Sequence, residues 1–119
     1  MNAEQLTALV KGALEDMKAQ DIVALDVAGM TSIADCILVA SGTSTRHVKS
    51  IADSVIERVK AAGLRPLGIE GDQQADWVLV DLGDVVLHVM TPATRQYYDL
   101  ERLWTVKPPA GAATRRDDA

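Results

Sequence analysis

Aromatic residues are scarce in this chain of 119 residues: two Trp, two Tyr and no Phe make up 3% of it, although 48% of its residues are hydrophobic. A packed core must therefore be built from Val, Leu, Ile and Ala. Each tryptophan, Trp77 or Trp104, is a conspicuous use of a rare residue type. The length is sufficient for one domain with a single core and too short for two.

Cysteine and histidine are also scarce, with one and two residues. A single cysteine, Cys36, cannot form an internal disulfide, and together with His47 and His88 it lacks the spacing of a zinc site. We therefore expect no metal and no cofactor. The chain shows neither a basic-then-apolar leader nor an apolar run of about 18 residues, so we expect a cytoplasmic protein without a membrane segment.

Clustered cations are also missing. The net charge is −5, and no stripe of Lys and Arg alternates with aromatics. Direct sequence-independent binding to a nucleic-acid backbone is therefore not expected, because that mode depends on clustered cations. An acidic protein can still join a ribonucleoprotein by pairing with a basic protein on it.

Hydrophobic periodicity predicts eight elements in the order α-β-β-α-β-β-β-α. This order gives an α/β fold, a single domain with a five-stranded mixed sheet flanked by helices and at least one parallel strand pair. Residues 1–106 form the predicted domain, and residues 107–119 a flexible tail rich in Pro, Gly and charge. The predicted elements are helix 3–19 capped by Asn2, strands 22–27 and 36–40, helix 48–62 stopped by Gly63, strand 67–70, strands 77–81 and 85–90, and short helices over 93–104.

The strands 77–81 and 85–90 read as a β-hairpin with a turn at Gly83 and Asp84. Alternation places Trp77, Leu79 and Asp81 on one face of the first strand. The opposite face is already apolar. A tryptophan in a strand is as often core as surface, but here it is not needed to cover that apolar face, and exposed tryptophans are frequent interface anchors.

The segment 41–47 joins a strand to a helix, a geometry that favours anions. Arg46 and His47 lie in the first helical turn, where the helix dipole disfavours cations. We expect a negatively charged group to lie near these two side chains. It is either a bound phosphate or, as we favour, Asp35 or another carboxylate folded back across the loop. The residues that would hold an anion are Thr43, Ser44, Thr45 and Arg46.

Catalytic patterns are incomplete. A nucleotidyltransferase needs a Gly-Ser helix start followed by Asp-x-Asp to hold metal ions, and here Ser41-Gly42 reverses the dipeptide with no Asp-x-Asp after the second helix. Asp76, Asp81 and Asp84 are more simply residues of turns. We therefore predict that the protein is not an enzyme.

Four ordered motifs carry a resemblance to the ribosomal silencing factor (Iojap) family, over nearly all of residues 4–104. They are Asp26-Val27 with Thr31–Asp35, Ala40–Val48, Gly68–Met90 and Tyr97–Trp104. The resemblance implies a nucleotidyltransferase-like fold and a protein that docks on the large ribosomal subunit through ribosomal protein L fourteen. Residue by residue, the docking patch that it implies is Trp77, Asp76, Asp81, Leu82, Glu70, His88 and Met90.

The predicted function is steric repression of translation when nutrients are short, by keeping the small subunit from joining. Two alternatives stay open. One is a diverged nucleotidyltransferase-like enzyme that uses the anion site at 41–47, and the other is a homodimerisation module with the hairpin as its self-contact. Tyr97 and Tyr98 are interpreted as part of a helix that packs on the sheet.

Overall fold

A computed structural model of the protein describes residues 1–32 and 34–99. These residues form three helices and five strands in the predicted order α-β-β-α-β-β-β-α. Their bounds are α1 Ala3–Asp16, β1 Gln20–Asp26, β2 Cys36–Ser41, α2 Thr45–Ala61, β3 Gly68–Glu70, β4 Trp77–Asp81, β5 Val85–Met90 and α3 Pro92–Tyr98.

The five strands form one mixed sheet in the order β1-β2-β5-β4-β3. β2 and β5 pair in parallel at its centre, and every other neighbouring pair is antiparallel. The parallel pair requires the long connection through α2, because a short turn can join only antiparallel strands. The predicted α/β fold with a five-stranded mixed sheet is confirmed. The nucleotidyltransferase-like label stays a prediction.

The core lies on both faces of the sheet and is unequally divided between them. On one face, α1 and α2 pack against alternate residues of the strands, so that Val78, Val80 and Leu87 are fully buried. On the other face a smaller cluster joins Val39 and Met90 to residues of β1. α1 and α2 therefore cover the first face and leave the second face open.

The helix ends follow from local chemistry. Asn2 accepts the N–H of Gln5 at 2.8 Å, and the Gln5 side chain accepts the N–H of Asn2 at 3.1 Å, which is a complete capping box. The predicted cap is therefore confirmed. α1 stops at Asp16 rather than at residue 19, since Lys18 takes a φ of 59° that no helix continues through. At the end of α2, Gly63 supplies a φ of 87° just past the last turn, as predicted.

The structure describes only part of the predicted C-terminal helices. α3 begins at Pro92 and ends at Tyr98, and Asp99 follows in the left-handed region. The remainder of the predicted 93–104 helices and the predicted tail 107–119 lie outside the described residues. Over the ranges that are described, no helix has both the length and the apolar content needed to cross a membrane.

Two leucines test the division between core and surface. Leu38 in β2 is fully buried, whereas Leu67 before β3 is 74% exposed. Replacing Leu38 by Ala should lower the free energy of unfolding by about 2 to 5 kcal/mol, because it leaves a cavity. Leu67→Ala removes the same atoms and should change it by less than about 0.5 kcal/mol. Denaturant unfolding of both variants measures the difference, and equal losses would contradict the described packing.

Candidate functional site: an aromatic patch on the hairpin

Trp77 is the first residue of β4 and lies on the sheet face that α1 and α2 leave uncovered. Its cross-strand partner is Met90, so the base of the indole packs on a buried apolar side chain. The residue as a whole is partly buried. Trp77 is therefore neither a core tryptophan nor a freely exposed one.

The indole is held in place by a hydrogen bond. The Trp77 Nε1–H donates to Nδ1 of His88 over 3.0 Å, and the two rings lie 5.9 Å apart between centroids. An indole nitrogen can only donate, so Nδ1 of His88 must carry no proton in this contact. A fixed ring loses little conformational entropy when it binds a partner.

Two tyrosines of α3 extend this feature. The ring of Tyr98 lies 4.7 Å from that of Trp77, and Tyr97 packs edge-on against Tyr98 at 4.9 Å. Tyr97 is 78% exposed. We call Trp77, Tyr97 and Tyr98 the aromatic patch; it gathers three of the four aromatic residues of the chain.

The predicted packing of this helix on the sheet holds for Tyr98, whose ring contacts Trp77 of β4, although α3 has no fully buried residue. Tyr97 is exposed instead, which the sequence interpretation missed. A usable signal was present: two consecutive tyrosines occur in a chain that has no other tyrosine. Consecutive helical residues point in different directions, so at least one of them had to leave the helix-sheet interface.

Carboxylates flank the aromatic patch. Asp76 immediately precedes Trp77 and is exposed, and Glu70 of β3 is exposed opposite Leu79 of β4. Asp81 lies at the far end of β4 and accepts the N–H of Gly83 at 2.9 Å, so its carboxylate stabilises the hairpin turn. The turn role expected for Asp81 is thus present, and Asp76 and Glu70 are the freer negative charges beside the indole.

Three predicted contact residues are placed differently from the expectation of a docking surface. Met90 is fully buried and His88 is 7% exposed, so in the free protein they support the indole from beneath. Their place in the docking surface stays a prediction. Leu82 is half-buried against the core on the helix side and lies beyond the other end of β4.

The 41–47 loop satisfies its polar groups internally. His47 Nδ1 accepts the N–H of Thr43 at 2.8 Å, and His47 Nε2 donates to the carbonyl of Met17 at 2.8 Å. Nδ1 is therefore the acceptor and Nε2 the donor, because a backbone N–H can only donate and a carbonyl can only accept. Ser44 caps α2 by accepting the N–H of His47.

The expected carboxylate partner of this loop is not found. The ion pairs among the described residues include Lys49 with Asp53 and Arg58 with Asp16, and neither involves residues 41–47. The Thr43 N–H and the Ser44 hydroxyl oxygen already take part in hydrogen bonds within the loop. The Thr43 N–H is therefore not open to an anion, and the anion site over Thr43–Arg46 stays a prediction.

The acidic residues near the hairpin do not converge. Within the described ranges, no group of three or more His, Cys, Asp or Glu side chains is close enough to hold a metal ion. The arrangement that does converge is apolar and aromatic with carboxylates beside it. Such a surface is suited to binding a protein.

Known proteins resemble this chain over nearly its whole length. The family model described as ribosomal silencing factor during starvation matches residues 1–118. The ribosomal silencing factor RsfS of Chromobacterium violaceum is 46% identical over 112 residues, covering 94% of this chain and 92% of that protein. The RsfS of Bacillus subtilis is 40% identical over 108 residues, covering 91% and 92%.

Two further similarities extend the comparison. A mouse protein named mitochondrial assembly of ribosomal large subunit protein 1 is 36% identical over 97 residues, which cover 79% of this chain and 42% of that protein. A crystal structure of a Chromobacterium violaceum protein superposes with a TM-score of 0.87 at 46% identity, covering 92% of each chain.

The role of His47 can be tested directly. His47→Ala should lower the free energy of unfolding by about 1 to 2 kcal/mol, because it leaves the Thr43 N–H and the Met17 carbonyl without these partners. The neighbouring Arg46→Ala, at an exposed position, should change it by less than about 0.5 kcal/mol. Thermal unfolding measures both changes. Repeating it with inorganic phosphate tests whether the loop is an anion site: stabilisation by phosphate that Arg46→Ala abolishes would show that it is.

Proposed function

This chain belongs to the ribosomal silencing factor family, and we propose that it represses translation by binding the large ribosomal subunit and preventing the small subunit from joining. The observation that carries the proposal is the aromatic patch: three of four aromatic residues gather on one surface, held by the Trp77–His88 hydrogen bond and flanked by carboxylates. The family model, with its description as a silencing factor during starvation, supports action under nutrient limitation.

The partner that we propose is ribosomal protein L fourteen, the docking partner implied by the family resemblance. A protein on the ribosome must be compatible with RNA and is commonly basic, and this chain carries a net charge of −5. Exposed Asp76 and Glu70 beside the indole give the docking surface the complementary sign. Complementary charge mainly accelerates association and selects the orientation. Most of the affinity comes from the aromatic anchor, which becomes buried in the complex.

Docking of a rigid domain is sufficient for silencing. The narrowest extent of the molecule is 22 Å. A body of that thickness, seated where the subunits meet, keeps their surfaces out of contact without any chemical step. This proposal places the protein in the cytoplasm with the ribosomes and requires no catalysis.

The alternatives have separate signatures. A diverged nucleotidyltransferase-like enzyme would turn over a nucleotide with a metal ion, whereas a docking protein would not. A homodimer of the free protein would show a mass that rises with concentration, and if it used the aromatic patch, large subunits would compete with it. The homodimer stays a prediction. It is compatible with the docking proposal only if the dimer dissociates on binding, because both would use the aromatic patch.

The tryptophan is the first test of docking. Trp77→Ala should weaken binding to purified large subunits by about 2 kcal/mol, or about thirtyfold, as expected for a central aromatic anchor. Leu67→Ala is the matched control, since it removes an exposed apolar side chain outside the aromatic patch and should bind like the wild type. Co-sedimentation through sucrose, at a temperature where all three proteins are folded, measures the difference. Equal binding of the three would remove Trp77 from the docking site.

The charge beside the indole is the second test. Asp76→Lys should slow association with large subunits and make the rate less sensitive to salt, because it replaces an attraction by a repulsion. Glu4→Lys on α1 changes the net charge equally at another exposed position and should affect the rate much less. Asp81 is unsuitable for this test because its carboxylate accepts the Gly83 N–H. Stopped-flow measurements at two ionic strengths give the association rates. Identical effects of the two variants would contradict the claim that charge beside Trp77 steers association.

A further inference from the structure

The turn before β4 contains a glycine whose missing side chain is needed for packing. Gly71 follows β3 and has a φ of 81°. A Cβ atom at this position would lie well inside contact distance of the Trp77 carbonyl oxygen, 3.2 Å from the Trp77 carbonyl carbon and 3.6 Å from Val78 Cα. These are backbone atoms of a strand in the sheet, so they cannot swing aside as a flexible side chain can.

The same turn is closed tightly at its other end. The N–H of Ala75 donates to the Gly71 carbonyl at 2.8 Å, and Ala75 is 3% exposed with a φ of 60°. An alanine in the left-handed region persists only where its surroundings impose that conformation. The turn 71–76 is therefore a packed element that fixes where the chain enters β4.

The turn also connects the two halves of the aromatic patch. The carbonyl of Asp76 accepts the N–H of Thr91 at 3.0 Å, and Thr91 is the residue that precedes α3. Trp77 follows Asp76 directly, and Tyr97 and Tyr98 lie on α3. One hydrogen bond thus links the start of the strand that carries the indole to the start of the helix that carries the tyrosines.

We propose that Gly71 is a positioning residue for the aromatic patch. Its lack of a side chain lets the turn 71–76 close onto the backbone of Trp77, which sets the position of the indole and, through Asp76 and Thr91, the position of α3. The inference deepens the proposed function and rests on it for the consequence in binding. The geometric part stands on the free protein alone.

The sequence offers a matched control for the strain at positive φ. Gly63 has a φ of 87°, and no atom lies within 4 Å of the Cβ that alanine would add there. Alanine at Gly63 therefore meets the unfavourable φ without the contact, whereas alanine at Gly71 meets both. A difference between the two variants reports the contact with Trp77.

Gly71→Ala and Gly63→Ala are compared with the wild type by two measurements. The first is the Nε1–H resonance of Trp77 in the free protein, assigned with Trp77→Phe, and the second is affinity for purified large subunits. Gly71→Ala should move the resonance and weaken binding by about tenfold, equivalent to about 1.4 kcal/mol. Gly63→Ala should leave the resonance in place and bind within about twofold of the wild type, even though both variants melt at lower temperature. An unmoved resonance in Gly71→Ala, with binding equal to that of Gly63→Ala, would overturn the proposal.

A second pair of variants applies if Gly71→Ala does not fold. Thr91 has a φ of −67°, which suits proline, so Thr91→Pro removes the N–H that bonds Asp76 without an unfavourable φ. Thr91→Ala keeps that N–H and serves as its control. Thr91→Pro should move the indole resonance and weaken binding relative to Thr91→Ala, and equality of the two would refute the link between the turn and α3.

The two proposals fail in different ways. If Trp77→Ala binds large subunits like the wild type, the docking proposal fails, while the resonance of the free protein still tests the role of Gly71. If Trp77→Ala binds weakly but Gly71→Ala matches Gly63→Ala in both measurements, only the role of Gly71 fails.

Discussion

The antiparallel register between β4 and β5 determines which residues of the hairpin enter the core and which reach the surface. It pairs Trp77 with Met90 and Val80 with Leu87, and it leaves Val78 and Val80 under the two long helices. A slip by one residue would exchange the faces, placing the indole beneath α2 and valines in solvent. The tight turn at Gly83, with its φ of 90° and the hydrogen bond from its N–H to Asp81, holds this register.

Much of the fold could be predicted because its signals are local. The apolar stripe of α1, its Asn2 cap and the alternation along β4 each occupy a short stretch of sequence, and the structure bears them out. The depth of a side chain is not a local property. Met90 belongs to the predicted docking patch, but only the packing of β1, β2 and Trp77 around it shows that it has no exposed surface in the free protein.

The contacts that complete the site join distant parts of the chain. His47 bonds the carbonyl of Met17, 30 residues earlier, and this partner could not be inferred from the spacing of residues 41–47. Tyr98 reaches Trp77 only because α3 starts beside the turn that precedes β4. The residue types were visible in the sequence, whereas their convergence depends on the order of strands in the sheet.

The resulting surface combines a rigid anchor with an attached helix. The indole is fixed by Met90 and His88, while α3 has no buried residue and is held through polar contacts such as the one from Arg95 to Ser41 at 2.9 Å. In the proposed docking, the hairpin supplies a rigid contact surface and α3 adds further aromatic area to it.

Steric silencing is the central claim, and subunit joining followed by light scattering tests it most directly. Wild-type protein added to separated subunits should reduce the joined fraction in proportion to its occupancy of the large subunit, without nucleotide consumption, whereas Trp77→Ala at the same concentration should not. Inhibition that requires nucleotide hydrolysis, or inhibition that persists when binding to the large subunit is lost, would contradict the account.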